Sequence, residues 1–183
     1  MKLFLHKIQG IGIKFYLQFL FTIGAFLSRP TWVDKHIKVC YNRLDEITAG
    51  QIQFVHAFCN RGVPQQNSGL DKISPILELI NPMAIYRILA SFRPRMSAVT
   101  ESLYHVDIGD ERFPESAWPA EKLKQWTTSI LYMNTTNGYT KFEDGTRVEC
   151  IANRFVTFPM NIKHCGTAAS DENKILINFN YFI

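Results

Sequence analysis

Asn137-Gly138-Tyr139-Thr140-Lys141-Phe142-Glu143-Asp144-Gly145 is the stretch that decides the fold. Asn-Gly and Asp-Gly supply the positive φ angles that tight hairpin turns demand, and here they bracket a short run of β-formers, Tyr139 to Phe142. The pattern extends outward. Trp126 to Asn134 is β-branched and aromatic, and Arg147 to Ile151, Arg154 to Phe158 and Lys174 to Phe182 follow at short intervals. Ahead of them Val99 to Asp107 reads as one more strand, set apart by a long polar loop, Ile108 to Lys124, that carries Pro114 and Pro119. Many short strands punctuated by glycine-bearing turns specify a sandwich or barrel.

The first half is more mixed. Ile52, Phe54, His56 and Phe58 alternate with Gln51, Gln53, Val55 and Ala57, the period of a strand. Arg61 to Gly69 is loop. Ser74-Pro75, an N-cap followed by proline at the first helical position, predicts a short helix to about Ile80, where Asn81-Pro82 stops it. Ala84 to Phe92 fits helix or strand by pattern alone. Residues 13–27 predict a helix. Lys2, Lys7 and Lys14 precede the apolar run Phe15 to Leu27, which is shorter than the roughly 20 residues of a membrane span but shares the form of a secretory signal. A packing helix, a signal or anchor, and an extension outside the domain all stay open. The chain divides into a helical or uncertain segment, 1–45, and a β domain, 46–183.

At 183 residues the chain fits one domain. Of its 20 basic and 16 acidic residues, seven basic and one acidic fall within 1–43, so the remainder is slightly acidic. Nucleic acid is disfavoured as a partner, because no basic stripe accompanies the β half. A membrane is a partner only if the apolar run 15–27 serves as an anchor. Cys40, Cys59, Cys150 and Cys165 are scattered, with no close pair to suggest a zinc ribbon or a disulfide framework. Reduced thiols in a cytoplasmic protein are the plain expectation.

Two imidazoles and a carboxylate stand out in the β half. His105 and Asp107 are two apart in an extended run, so they point to one face about 7 Å apart while Val106 turns away. His164 lies 57 residues beyond Asp107, and the other histidines (His6, His36, His56) fall in the N-terminal third. Two histidines and one aspartate on one face of a metal, with open positions opposite, suit Fe(II). The same ligands admit zinc hydrolysis. Lys174 comes ten residues after His164, at the head of the last strand-like run. A buried lysine needs an anion. Asn178 and Asn180 share its face, as pocket groups or as structural amides, while Ile175, Ile177, Phe179 and Tyr181 face an outer packing layer.

Ser129-Ile130-Leu131-Tyr132-Met133-Asn134, Asn137-Gly138-Tyr139-Thr140-Lys141-Phe142, Asn153-Arg154-Phe155-Val156-Thr157-Phe158-Pro159 and His164-Cys165-Gly166 occur in that order. They resemble successive motifs of the 2-oxoglutarate/Fe(II)-dependent dioxygenases, in the prolyl-4-hydroxylase-like branch and, more narrowly, the short oxygenases of phages of marine bacteria. Gln53-Phe54-Val55-His56 and Ile85-Tyr86-Arg87-Ile88-Leu89 are similar to their N-terminal parts, so the resemblance spans roughly residues 50–183. It implies a mainly β fold with flanking helices, a double-stranded β-helix of the jelly-roll, cupin-like kind. It implies that His105, Asp107 and His164 are the catalytic iron ligands. Lys174 would pair with the distal carboxylate of 2-oxoglutarate, with Tyr132 and its neighbour Thr140 at the same end. The implied reaction couples decarboxylation of 2-oxoglutarate, giving succinate and carbon dioxide, to hydroxylation of an unactivated C–H bond. The target would be a peptide, prolyl included, or a small molecule, and ascorbate is a candidate reductant. If the chain is viral, the cytoplasm is that of the host cell.

Asp107 departs from the halogenating relatives, which carry a small residue there. Lys174, alone in its strand, departs from the paired arginines of the nucleic-acid demethylase branch. Cys165 is expected to point away from the metal. Trp118 and Trp126 either pack as core or cover the pocket, and Arg87, Arg93 and Arg95 either line its mouth or solubilise the barrel. His56 reads as a satisfied core histidine. A non-catalytic β-barrel serving as an interaction or virion module is the alternative from a different class.

Overall fold

The last strand is the spine of the molecule. In the computed structural model, which describes residues 4–7, 37–40, 53–108 and 118–183, it runs Lys174–Phe182 and is largely buried on both faces. In chain order the strands are β1 (Phe4–Lys7), β2 (Ile37–Cys40), β3 (Gln53–Asn60), β4 (Val63–Pro64), β5 (Ala84–Arg93), β6 (Thr127–Tyr132), β7 (Tyr139–Phe142), β8 (Arg147–Glu149), β9 (Arg154–Pro159), β10 (His164–Gly166) and β11 (Lys174–Phe182). A 3-10 turn (Leu70–Ile73) leads into helix α1 (Ser74–Ile80), and α2 (Ala120–Leu123) precedes β6. The major sheet has the order β1-β9-β6-β11-β5-β3-β2, with β4 on β3, and the minor sheet is β10-β7-β8; every pairing is antiparallel. From β6 onward the chain crosses between the sheets, in the winding of a double-stranded β-helix.

Period-2 alternation lets one sheet build two cores. Ile175, Ile177, Phe179 and Tyr181 of β11, with Leu131 and Phe155, pack under Ile73 and Ile76 of the helical layer. The residues between them face the other way. Ile130, Tyr132, Val156 and Phe158 meet Phe142 and Val148 of the minor sheet, with Leu176 beside them. Lys174, Asn178 and Asn180 lie on this inward face of β11, and β5 contributes their register partners Arg93, Leu89 and Arg87.

Several local expectations are corrected. Ala84–Arg93 is a strand, resolving the ambiguity there. Val99 to Asp107 is not a continuous strand: its backbone pairing is reduced to two isolated bridges, Glu101↔Thr167 and His105↔His164. Side chains break the ladder, since Ser102 Oγ accepts the Gly166 amide at 3.2 Å and His105 Nδ1 contacts the Leu103 carbonyl at 3.0 Å. Asn137-Gly138 does not close a hairpin. Neither residue has a positive φ, and Asn137 instead clasps Ser170 and Asp171 as the chain passes from β6 to β7. Asp144-Gly145 does turn the chain between β7 and β8, with Gly145 at φ 85°. The expected loop from Ile108 to Lys124 contains α2, started by Pro119 and anchored by buried Leu123 against Ile108 and Met160.

The helix expected over 13–27 lies outside the described residues, as does most of the acidic stretch after Asp107. The division of the chain near residue 45 stays a proposal. Among the described residues, no helix is long and apolar enough to cross a membrane.

Candidate metal centre

His105 and His164 are brought together by backbone. The amide of each donates to the carbonyl of the other across one bridge, at 2.9 and 3.0 Å, and their rings lie 4.8 Å apart. Asp107 reaches them through a bend after His105 rather than along a strand. One ligand atom from each of His105, Asp107 and His164 lies within 4.8 Å of the others. Both imidazole Nε2 atoms stand 3.9 Å from Asp107 Oδ1.

The hydrogen bonds settle which nitrogen faces inward. Nδ1 of His105 lies 3.0 Å from the Leu103 carbonyl, and Nδ1 of His164 lies 3.2 Å from that of Ile162. A carbonyl only accepts, so each Nδ1 carries a proton and Nε2 is the nitrogen left facing Asp107. Burial lowers His164 to a pKa of about 4, against the pull of Asp107, so the ring is neutral at pH 7.

Asp107 is held more elaborately than either histidine. Its Oδ2 accepts from Thr128 Oγ1 (3.2 Å), Asn178 Nδ2 (2.9 Å) and Asn180 Nδ2 (3.0 Å). Its Oδ1 keeps a free side toward the imidazoles, with Arg87 Nη2 at 3.5 Å. Arg87 is itself aimed by Nε donating to Asn180 Oδ1 at 3.0 Å. Burial opposes ionisation here, but the imidazoles when charged, the Arg87 guanidinium and the Asn178 amide outweigh it and hold the carboxyl well below the usual range. Two imidazole donors and one oriented carboxylate oxygen fit a divalent transition metal.

At the head of β11, Lys174 is 1% exposed and its Nζ donates to the Tyr139 carbonyl at 2.9 Å. Tyr132 and Thr140, both buried, are joined by a 2.7 Å hydrogen bond, and Lys174 Nζ lies 5.8 Å from the Tyr132 ring. Burial, with Arg93 adding to it, pushes Lys174 down to about 7. No carboxylate among the described residues pairs with it.

Sequence reasoning left the roles of Arg87 and Arg93 open and missed Thr128. The alternation of Arg87, Leu89, Ser91 and Arg93 would have placed both arginines inward once Ala84 to Phe92 was taken as a strand. Arg95 is exposed. Trp118 and Trp126 pack edge to face with each other and with Tyr86, in the cluster behind Ile108. His56 Nε2 lies 2.8 Å from the Ser68 carbonyl. Cys165 is buried, and strand alternation turns it away from the face that His164 presents.

The chain is a double-stranded β-helix carrying a His-Asp-His cluster, and it shares its fold with solved prolyl hydroxylases and with HygX. No family model matches the chain, and no curated protein matches it in sequence. Solved structures do. A prolyl hydroxylase from Trichoplax adhaerens, in complex with a hypoxia inducible factor oxygen degradation domain peptide, is similar with a TM-score of 0.62 at 11% identity, over 98% of this chain and 83% of that one. HygX from Streptomyces hygroscopicus, with nickel, 2-oxoglutarate and hygromycin B bound, gives 0.56 at 8% identity, over 98% and 82%. A Pseudomonas putida prolyl-4-hydroxylase gives 0.53 at 12% identity, over 100% and 92%. Identities this low speak for the fold.

Proposed function

We propose that this chain is a 2-oxoglutarate- and Fe(II)-dependent dioxygenase that hydroxylates an unactivated C–H bond and releases succinate and carbon dioxide. The observation that carries the reading is Asp107: one oxygen is tied by three donors while the other faces two Nε2 lone pairs. That leaves three donor atoms on one side of a cation and open positions opposite.

His105, Asp107 and His164 would hold the iron. Bound there, Fe(II) supplies the electron transfer that couples dioxygen to decarboxylation of the co-substrate and oxidation of the target. The protein's own part is orientation. Leu103 and Ile162 carbonyls fix the two imidazoles, and Asn178, Asn180 and Thr128 fix the carboxylate. Lys174, on the same face of β11, would pair with the distal carboxylate of 2-oxoglutarate, with Tyr132 and Thr140 at that end. Prolyl peptides and small molecules are both within the proposed substrate range, ascorbate is the candidate reductant, and a cytoplasmic setting, that of a host cell if the chain is phage-encoded, belongs to the same proposal.

The test is aerobic incubation with Fe(II) and 2-oxoglutarate. Succinate should form without added target, depend on Fe(II), and vanish in His164→Ala. Release that persists in that variant would remove the ligand assignment.

A further inference from the structure

Lys174 has a half-buried cationic neighbour that the proposed chemistry does not yet use. Arg93 of β5 is its register partner across the β5–β11 ladder, so the two side chains leave the sheet on the same face. Directly opposed side chains of an antiparallel pair start about 5 Å apart, and like charges placed so repel. Arg93 Nε donates to Gln53 Oε1 at 3.1 Å, but its Nη1 is fully buried with no hydrogen-bond partner among the described residues. An orphaned guanidinium donor in a protein interior is costly. No carboxylate among the described residues pairs with Arg93 or Lys174.

Two glycines make room for these cations. A Cβ on Gly166 would stand 3.3 Å from both Nη1 and Nη2 of Arg93, and a Cβ on Gly138 would stand 3.2 Å from Lys174 Cδ. Neither glycine has a positive φ, so the backbone does not demand glycine at either place. At Gly166 the tight neighbour is the Arg93 guanidinium, whereas at Gly138 Thr167 Oγ1 at 3.0 Å and Thr136 Oγ1 at 3.2 Å crowd the position along with Lys174.

We infer that Arg93 is a second cation at this end of the pocket, donating to the same distal carboxylate that Lys174 is proposed to hold and adding to the selection of a dicarboxylate over a monoacid. The inference rests on the oxygenase reading and adds Arg93 to its binding residues. Arg93 Nη1 supplies the donor for one carboxylate oxygen and Lys174 Nζ the donor for the other.

Calorimetric titration of the Ni(II)-loaded protein separates the two ideas. The probes are 2-oxoglutarate and 2-oxopentanoate, a monoacid of equal length without the distal carboxylate. Wild type should bind 2-oxoglutarate more tightly. Arg93→Gln should weaken 2-oxoglutarate on the order of tenfold to a hundredfold and leave 2-oxopentanoate unchanged. Arg93→Lys should restore part of the loss. If Arg93→Gln does not fold, Gly166→Ala, which crowds the guanidinium without removing it, should show the same selective loss. Unchanged 2-oxoglutarate affinity, or equal losses for both acids, overturns the role of Arg93 and leaves the oxygenase reading standing. A wild-type protein that binds neither acid overturns both.

Discussion

Asn180 holds Arg87 with its carbonyl oxygen and Asp107 with its amide nitrogen, at 3.0 Å each. One fully buried amide therefore sets both the Arg87 guanidinium beside Asp107 Oδ1 and the rotation of the carboxylate itself. Asn180→Ala should weaken metal binding by about 10- to 100-fold while 2-oxopentanoate and 2-oxoglutarate keep their relative affinities. Competition against a metal-responsive dye measures it, and wild-type metal affinity in the variant would show that the amide merely packs.

His164 is paired with His105 through backbone atoms, so its side chain can be removed without cutting the bridge. His164→Ala should keep the far-ultraviolet circular dichroism of wild type. It should lose metal affinity by more than about 100-fold, since one of the three proposed ligands is gone. Elemental analysis after dialysis reads the outcome; an undiminished metal content would move the centre elsewhere.

Lys174 must be charged to hold a carboxylate, yet in the folded protein its pKa sits at about 7 rather than the usual 10.5. Burial is the main cause, Arg93 adds to it, and Cys150, Cys165 and Glu149 pull the other way. Above pH 7 the free protein holds a growing fraction of neutral lysine, and anion binding must take up a proton. The dissociation constant of 2-oxoglutarate should therefore rise with pH above about 7, by as much as tenfold per unit. Lys174→Met should bind weakly with a flattened profile. A wild-type profile that is flat between pH 7 and 9 would mean the ammonium stays charged throughout.

Ile177 is completely buried between the major sheet and the helical layer, on the face of β11 opposite the pocket. Ile177→Ala should cost about 2–5 kcal/mol in urea unfolding, through lost transfer energy and the cavity left behind. The exposed Leu79 to Ser should change stability by less than about 0.5 kcal/mol. A reversal of these two would place α1 wrongly on the sheet.

The parts of this fold legible in the sequence were those that local chemistry determines. Asp144-Gly145 turned as its residue types require, and the alternation along β11 divided its side chains between core and pocket. Asn137-Gly138 misleads because its glycine is packed under Thr167 and Lys174 and its asparagine answers to the 170–171 loop, contacts that are far away in sequence. Val99 to Asp107 misled because Ser102 and His105 turn their own polar side chains onto the backbone. In the site, the spacing of His105, Asp107 and His164 was enough to nominate them, and Asn178 and Asn180 followed from the strand period. Arg87 and Arg93 are not legible because Ala84 to Phe92 carries no unambiguous period, and the pairing with β11 fixes which way they point.

The most direct measurement is an anaerobic titration of the Fe(II)-loaded protein with 2-oxoglutarate, followed by visible absorption. Chelation of iron by the 2-oxo acid should produce a new absorption band that saturates at one acid per chain, is absent with glutarate, and is lost in His164→Ala. A spectrum that does not change on adding 2-oxoglutarate, from protein shown to contain iron, would contradict the account at its centre.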